Sequence, residues 1–472
     1  MSYSAERAPS IWRRFLAYCA GAAPHDVYSA LAITFGLAFL ILTPPTGAAD
    51  EPAHFQRGFE VANGYWLGAE GAPAGVDAFL DPAFATVEAG GAFSRDDVRA
   101  WTEPLLQKGE TVPYDNPHEA VMRIHNPLAY LPYAPAIWAG QALEAPAYVV
   151  FQLCRLTTLF AGVLLMRKAI MIAPAHQWTL TAVALTPTSL FFLAAVNLDA
   201  FLVGACFLFS AFAWRFAADR DRILTEREIL ILSALGVMIA ALKTPYALLV
   251  LSAAALPSEK FASVRMRARA LAVIAAPSVV VAAGWAMIAK AFIVGDIAYS
   301  TPAAGLVSPS EQAAWMAAHP AAFANVVMRT IFDGGAVLRA VVHSVSLMGW
   351  NSVATPGWAA ALSFIAMGVA FLAERMPQRA RDAGARIVAA GTIVAILLAS
   401  LAIIYMQWNG IGAARIEGFQ GRYLLPLSPL AIAAASLRRN RAGLSPPIAL
   451  IVPSASALSA IGGLAAVFAA YY

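Results

Sequence analysis

The residues best suited to chemistry begin with a charged cluster directly after the first apolar segment, in the sequence DEPAHFQRG that starts at Asp50. Asp50 and Glu51 precede a proline that can begin a helix, and a helix N-terminus favours carboxylates. His54 and Arg57, three residues apart, lie on neighbouring faces of such a helix. A carboxylate here could take a proton from an attacking hydroxyl. A helix cap with interfacial anchors explains the same residues equally well.

A second candidate, Lys243, stands before Thr244-Pro245-Tyr246 between the short apolar segments 229–243 and 244–256. Pro245 has no amide hydrogen and disfavours helix at the preceding residue, so the sequence predicts a break where the two segments meet within the membrane. A lysine at the bilayer centre costs about 2.5 to 3.5 kcal/mol unless it meets water or an anion. We therefore predict that Lys243 binds phosphate. Snorkelling of the long side chain to the interface is the alternative.

Arg422 is the second predicted phosphate ligand, because a guanidinium presents a planar fork to phosphate oxygens. It lies between Gln420-Gly421 and Tyr423, ahead of an apolar segment. An interfacial belt formed with Tyr423 is the alternative.

Three further polar residues stand beside apolar segments. Asp199 follows Asn197 in what could be a polar turn between two spans, and His125 closes a long polar insertion. Arg155 falls inside a predicted span, where we expect a structural partner, either an anion or a carbonyl group.

The composition indicates which elements must position these residues. Of 472 residues, 60% are hydrophobic and 13% are charged, against roughly 25% charged in soluble domains. The apolar residues form blocks of about 17 to 25, the length of a transmembrane helix. The net charge of +4 resides in short basic loops, which indicates orientation rather than nucleic-acid binding. Three cysteines without a Cys-x-x-Cys pair indicate neither a disulfide framework nor a zinc site.

We therefore predict an all-α polytopic membrane protein of about 11 to 13 helices, with a long outer loop after the first. Residues 1–26 form a cytoplasmic N-terminus, and 27–472 form a single transmembrane domain with outer loops 44–126 and 295–335. The pieces 127–143 and 336–349 either enter without crossing or raise the count. The eleven predicted spans are 27–43, 147–166, 178–196, 199–217, 229–243, 244–256, 270–294, 357–374, 387–406, 421–437 and 447–471.

Cofactor chemistry is weakly indicated by the sequence. Asp50, Glu51 and His54 could hold a divalent metal, but two acids near one imidazole are nonspecific. The sequence has neither a Walker motif nor a glycine-rich nucleotide fingerprint, which disfavours activation by ATP. No cofactor is predicted with certainty, and a divalent metal stays open.

Several of these motifs together resemble a known family. The chain carries Asp50-Glu51-Pro-Ala-His54-Phe, Asn126-Pro-Leu-Ala-Tyr, Asn197-x-Asp199, Lys243-x-x-Tyr246 and Gln420-Gly421-Arg422-Tyr423-x-x-Pro426, in that order. From about residue 30 to 440 it resembles the bacterial membrane-protein family catalogued as domain of unknown function 2142. That family is itself similar to the GT-C glycosyltransferases.

The resemblance implies a GT-C-like fold in the bacterial inner membrane and an active site that faces the periplasm. Such enzymes pass a sugar from a polyprenyl-phosphate or polyprenyl-diphosphate carrier to a glycan, lipid or protein acceptor. An acidic residue in the first outer loop serves as base or metal ligand, which here would be Asp50 or, second, Glu51. We expect an inverting single displacement. The predicted phosphate ligands are Lys243, Arg422 and Arg57, and the predicted substrate ligands are His54, His125, Asp199, Tyr246, Gln420 and Tyr423.

Two other functions fit the same sequence. A transporter or flippase of a lipid-linked glycan also keeps buried charges at broken helices. A noncatalytic subunit of glycan assembly would tolerate neutral substitutions at Asp50 and Arg422. The transferase hypothesis requires Asp50, Lys243 and Arg422 to share one pocket.

Overall fold

The computed structural model describes residues 22–67, 75–77, 80–83, 95–102, 109–110, 123–219, 222–292, 299–301, 305–374, 383–436 and 447–472. Most of the predicted cytoplasmic N-terminus and much of the 44–126 insertion lie outside these residues. The described part is mainly helical, with two small antiparallel hairpins. The α-helices are α1 Pro24–Leu42, α2 Glu51–Ala62, α3 Arg95–Thr102, α4 Ala134–Ala142, α5 Ala147–Ile172, α6 Gln177–Ala184, α7 Pro187–Leu193, α8 Asp199–Ala218, α9 Glu226–Leu242, α10 Val264–Phe292, α11 Pro309–Ala318, α12 Pro320–Ile331, α13 Ala336–Ser346, α14 Gly357–Ala373, α15 Ala383–Trp408, α16 Ser428–Ala435 and α17 Ile448–Tyr471.

Short strands and 3-10 helices complete the described elements. The hairpins pair β1 Tyr299–Thr301 with β2 Gly305–Val307, and β3 Leu347–Met348 with β4 Val353–Ala354. The 3-10 helices are Pro127–Tyr133, Thr244–Ala255, Ser258–Lys260 and Gly421–Leu427.

The helices pack around α5 and α8, whose apolar side chains are buried in the main core. Helix α5 packs between α1 and α8, and α9 packs between α8 and α10. The 3-10 helix Thr244–Ala255 contacts α9, α10 and α15, while α17 packs against α1 and α14. The start of α8, the end of α9 and the starts of the 3-10 helices Thr244–Ala255 and Gly421–Leu427 thereby come together.

The chain is a membrane protein by composition, but the predicted count of 11 to 13 spans is wrong for the described residues. Six helices there are long and apolar enough to cross a membrane, namely α1, α5, α8, α10, α15 and α17. The count reaches seven if α12 and α13, bent by 60° relative to one another, form one broken span. The second helix of that pair, α13, covers residues 336–346 of the predicted segment 336–349.

Prolines explain part of the difference in count, and α14, with 17 residues, is shorter than the candidate spans. The predicted span 178–196 is divided into α6 and α7 at Pro187, whose preceding Thr186 caps α7 by accepting a hydrogen bond from the amide of Ser189. The predicted span 421–437 is a 3-10 helix containing Pro426, followed by the short α16. The piece 127–143 is likewise a 3-10 helix joined to α4. Apolar composition alone does not reveal these interruptions, because the interrupted pieces stay apolar.

The segments on either side of Lys243 form a hairpin. Helix α9 has 17 residues and is about 26 Å long at 1.5 Å per residue. The following 3-10 helix has 12 residues, and its rise of about 2.0 Å per residue carries it about 24 Å. It returns to the start of α9, where Lys260 Nζ donates to the carbonyl of Arg222 at 2.7 Å. Lys243 therefore lies at the closed end of this hairpin, and the position of that end within the membrane stays a prediction.

Candidate functional site

An open cavity of about 320 Å³ lies where α8 begins and α9 ends. Its volume falls within the range of small-molecule sites, roughly 300 to 1,000 Å³. Helices α10 and α15 supply an apolar wall that includes Ala286, Ala289, Ile403 and Ile404. The polar residues of the lining include eight of those predicted from sequence, which are Asp50, His54, His125, Asp199, Lys243, Tyr246, Arg422 and Tyr423.

Four charged side chains form a connected ion network in the cavity. Arg422 Nη2 donates to Asp50 Oδ2 at 2.9 Å, across 372 positions of sequence. Asp199 joins the two cations, with Oδ2 2.9 Å from Arg422 Nε and Oδ1 3.3 Å from Lys243 Nζ. Each buried charge thus has an opposite charge nearby, which offsets part of its desolvation cost. The structure meets the requirement that Asp50, Lys243 and Arg422 share one pocket.

The Arg422 guanidinium is buried and incompletely paired. Its side chain is 5% exposed, and Cζ lies 4.4 Å from the ring centroid of Phe192. Nη1 is buried and has no hydrogen-bond partner within the described part of the chain. A buried donor without an acceptor costs about 1 to 3 kcal/mol, and more on a charged group. An oxyanion bound in the cavity would supply the missing acceptor.

Lys243 is held beside Arg422 but stays accessible. It ends α9 in an extended conformation, and its Nζ lies 3.8 Å from the ring centroid of Tyr423. The Tyr246 hydroxyl donates to the carbonyl of Tyr423 at 2.6 Å and fixes the two segments together. The Lys243 side chain is 24% exposed, so its ammonium can reach an anion in the cavity.

Asp50 occupies a special backbone position directly before α2. Its φ of 62° is left-handed, a region that aspartate tolerates better than most residues. Oδ2 is paired with Arg422, whereas Oδ1 accepts no hydrogen bond from the residues that the structure describes, and the side chain is 23% exposed. Asp50 therefore presents one free carboxylate oxygen that can accept a proton from a bound hydroxyl.

Two imidazoles, His54 and His125, lie beside these charges with their ring centroids 5.9 Å apart. His54 Nδ1 lies 2.8 Å from the hydroxyl of Tyr130, which is fully buried. The hydroxyl hydrogen needs an acceptor, and within the described residues His54 Nδ1 is its partner, so Tyr130 donates. His54 then carries its own hydrogen on Nε2 and offers the cavity a donor rather than a base.

Burial lowers the pKa of His54 and of His125 to about 3, so both imidazoles are neutral near pH 7. An unfolded chain protonates these side chains below about pH 6.5. The unfolded state therefore binds more protons between about pH 6.5 and 3, and stability falls as pH is lowered through that range. We expect nitrogen-15 NMR spectra of labelled histidine to show neutral rings at pH 5, with His54→Asn and His125→Asn assigning the signals. Protonation of either ring above pH 5.5 would contradict this prediction.

Glu51 is not in the cavity, so its predicted role as an alternative base is wrong on position. Its carboxylate forms a two-pronged pair with Arg155, at 2.8 Å from Nε to Oε1 and 2.7 Å from Nη2 to Oε2. Both side chains are fully buried. Oε1 also accepts the amide hydrogen of Val196 at 2.9 Å. Glu51 therefore has a structural role.

Arg155 is fully satisfied by this arrangement, as expected for an arginine inside a span. Besides Glu51, it donates to the backbone carbonyls of Thr43 and Pro44, each at 2.8 Å. The pair therefore ties α5 to the end of α1 and, through Val196, to the turn before Asp199. It positions both cavity carboxylates, since Asp50 follows the first of these segments and Asp199 follows the second.

Arg57 and Gln420 also lie outside the cavity lining, so their predicted contacts with substrate are not supported by their positions. Arg57 is fully buried, donates to Glu60 Oε2 at 2.7 Å and also donates to the carbonyls of Tyr65 and Trp66. It organises the chain after α2. The Gln420 side-chain oxygen is buried without a hydrogen-bond partner.

A comparison with known families decides the classification. The family described as "Predicted membrane protein (DUF2142)" matches residues 33–431. The chain belongs to the DUF2142 family. No curated protein and no solved structure matches it. Membership confirms the predicted family, and a relationship of DUF2142 to the GT-C enzymes stays a prediction.

The described part of this DUF2142 chain brings no three histidine, cysteine, aspartate or glutamate side chains together as a metal site. The candidate set of Asp50, Glu51 and His54 is divided because Glu51 faces Arg155. The two aspartates of the cavity are already paired with cations, Asp50 with Arg422 and Asp199 with Lys243.

Two cavity residues escaped the sequence analysis because they look like ordinary parts of an apolar span. Trp285 and Lys290 lie near the end of α10 and line the cavity. Trp285 Nε1 donates to the carbonyl of Ile124 at 2.6 Å, which ties α10 to the segment carrying His125. Lys290, a charged residue near the end of the predicted span 270–294, is the feature of the sequence that could have identified this part of the site.

Gly421 allows the segment Gln420-Gly421-Arg422-Tyr423 to lie against α13. A Cβ at this position would lie 2.5 Å from the Ser344 nitrogen and 2.7 Å from the Ala340 carbonyl oxygen. Because backbone atoms cannot yield like a flexible side chain, we expect Gly421→Ala to displace Arg422 and to cost about 1 to 3 kcal/mol. Thermal unfolding in detergent measures this loss. Gly368→Ala is the matched control, since nothing lies within 4 Å of its added Cβ, and equal melting temperatures for the two variants would refute the prediction.

Proposed function

We propose that this protein is a membrane glycosyltransferase that transfers a sugar from a polyprenyl-phosphate-linked donor. The acceptor is a glycan, lipid or protein on the periplasmic side of the bacterial inner membrane. The observation that carries the proposal is the buried Arg422, which lines one cavity with Lys243 and Asp50 and whose Nη1 has no acceptor among the described residues. A site that offers an unpaired guanidinium donor and a nearby ammonium, next to a carboxylate oxygen that accepts no hydrogen bond from the described residues, suits the departure of a phosphate.

The residues divide the reaction into two roles. Asp50 Oδ1 takes the proton of the acceptor hydroxyl, whose oxygen forms a bond to the anomeric carbon. The bond between that carbon and the phosphate oxygen breaks, and its electron pair stays on the phosphate. Arg422 Nη1 and Lys243 Nζ stabilise this growing charge in a poorly solvated site. Attack from the face opposite the phosphate inverts the anomeric centre.

The apolar wall of the cavity suits the isoprenoid part of such a donor. Ala286 and Ala289 belong to α10, and Ile403 and Ile404 belong to α15. Both helices are candidate membrane spans. Val280 and Met287 on the opposite face of α10 are 68% and 72% exposed, as expected for side chains that face lipid tails. A lipid chain can therefore lie along this wall with its phosphate at the polar end.

The position of the charges favours a transferase over a transporter. Asp199 is the first residue of α8, and Lys243 directly follows the last residue of α9. Transporters typically bind their substrates near the membrane midplane, where both sides can reach them in turn. Helix α8 has 20 residues, about 30 Å, and is a candidate membrane span, so its first residue belongs near one membrane surface rather than at the midplane.

A transfer assay tests the proposal directly. Purified protein in lipid vesicles would be supplied with radiolabelled polyprenyl-phosphate sugars and a membrane extract containing acceptors. We expect label to move from the carrier to a larger glycan, lipid or protein. If label crosses the vesicle membrane and stays on its carrier, the protein is a flippase and the transferase proposal fails.

A further inference from the structure

We propose, on the basis of the transferase function above, that the donor is a phosphodiester with a single negative charge rather than a diphosphate. We also propose that Lys290 binds this phosphate together with Arg422 and Lys243. The inference deepens the proposed function by naming the charge class of its substrate. It rests on the balance of charges around the cavity and on the position of Lys290.

The described residues of the lining contain one more cation than carboxylate. The cations are Lys243, Lys290 and Arg422, and the carboxylates are Asp50 and Asp199. The two histidines add no charge near neutral pH, because burial holds the pKa of each far below its ordinary value. The described part of the lining thus carries one net positive charge.

Lys290 is the source of this excess. Asp199 pairs with Lys243, and Asp50 pairs with Arg422. Within the part of the chain that the structure describes, Lys290 has no ion-pair partner, and its side chain is exposed at the end of α10. Trp285 anchors that end of the helix through its hydrogen bond to the Ile124 carbonyl. The ammonium therefore stays near the cavity and can approach a ligand at its mouth.

A single negative charge matches the cavity both before and after transfer. The bound phosphodiester carries one negative charge, which balances the net charge of the cavity. During transfer the acceptor proton moves to Asp50, so the cavity gains one positive charge. The departing phosphate monoester gains one negative charge in the same step, and the site stays neutral throughout.

A diphosphate donor would break this balance. Its diester carries two negative charges, and its departing diphosphate carries three, so one unit of negative charge stays unbalanced in a partly buried site. Unbalanced charge is costly where the effective dielectric constant is low. The lining therefore selects the monoanionic phosphodiester.

Binding of two simple probes tests the inference without knowledge of the sugar. The probes are an isoprenyl methyl phosphate, which carries one negative charge, and the matching isoprenyl methyl diphosphate, which carries two. Affinity would be measured with the full-length protein in nanodiscs at 0.15 M salt. We expect the monophosphate diester to bind about tenfold more tightly, which is about 1.4 kcal/mol.

Variants of Lys290 test its part in binding. We expect Lys290→Gln to weaken binding of the monophosphate diester about three- to tenfold and Lys290→Arg to retain it. Arg329→Gln is the control, because it removes an equal charge from the exposed face of α12, outside the cavity lining. Equal losses for Lys290→Gln and Arg329→Gln would exclude Lys290 from the site.

The outcomes separate the inference from the proposed function. Equal or tighter binding of the diphosphate probe overturns the charge assignment but leaves a lipid-phosphate transferase in place. Failure of both probes to bind, with the protein folded, overturns the proposed function as well.

Discussion

Arg155→Met will destabilise the folded protein by about 3 to 5 kcal/mol, because it leaves the Glu51 carboxylate buried without its partner. Glu51 and Arg155 are both fully buried, and each makes two contacts with the other. The substitution also removes the donors to the carbonyls of Thr43 and Pro44. We expect a large fall in melting temperature in detergent, measured by thermal size-exclusion chromatography.

A double variant keeps this prediction testable if the single variant fails to fold. Glu51→Gln combined with Arg155→Met removes both charges, so we expect it to recover part of the lost stability. Arg329→Met is the matched control, because Arg329 is exposed on α12. An Arg155→Met protein as stable as the control would show that the pair does not hold α1 against α5.

Asp50→Asn will lower the rate of sugar transfer by about 10²- to 10⁴-fold, the usual contribution of a general base. Asparagine keeps the shape of the side chain, and its carbonyl oxygen can still accept the hydrogen bond from Arg422. It cannot take the acceptor proton. We therefore expect donor binding to change little while turnover falls, which single-turnover measurements at saturating donor would separate.

Asp333→Asn is the control for the Asp50 variant. Asp333 pairs with Arg415 at 2.6 Å and does not line the cavity. We expect its transfer rate to match that of the unmodified protein. Transfer by Asp50→Asn at the unmodified rate would remove Asp50 from the mechanism.

The sequence predicted which polar residues would converge, because charged side chains beside apolar segments are costly and need partners. Asp50, Lys243 and Arg422 stood out for this reason, and all three line one cavity together with Asp199, which the sequence alone also explained as part of a polar turn. It did not predict how they pair. The contact between Asp50 and Arg422 joins residues 372 positions apart, and residue spacing carries no information about such a contact.

The sequence also did not predict the directions in which adjacent side chains point. Asp50 and Glu51 are neighbours with the same chemistry, yet Asp50 adopts a left-handed conformation facing the cavity and Glu51 begins α2 facing Arg155. Successive helical residues point about 100° apart, so the backbone alone decides which acid reaches the cavity. Arg57 is likewise buried because it donates to the carbonyls of Tyr65 and Trp66 in the turn after α2. The local sequence around Arg57 does not predict the path of that turn.

The sequence predicts too many spans because a continuous apolar segment does not always form one continuous α-helix. The predicted span 244–256 contains a 3-10 helix of 12 residues, which is about 24 Å long and shorter than the roughly 30 Å hydrocarbon core. Prolines at 187 and 426 divide or tighten other apolar segments. These effects depend on local hydrogen bonding, which hydropathy does not measure.

The position of a bound lipid phosphate tests the central claim most directly. An experimental structure of the protein with a polyprenyl-phosphate lipid would locate that group relative to the two cations. We predict that its oxygens lie within about 3.2 Å of both Arg422 Nη1 and Lys243 Nζ, the range of charge-assisted hydrogen bonds. A phosphate bound elsewhere, with the ion network of Asp50, Asp199, Lys243 and Arg422 unchanged, would contradict the account.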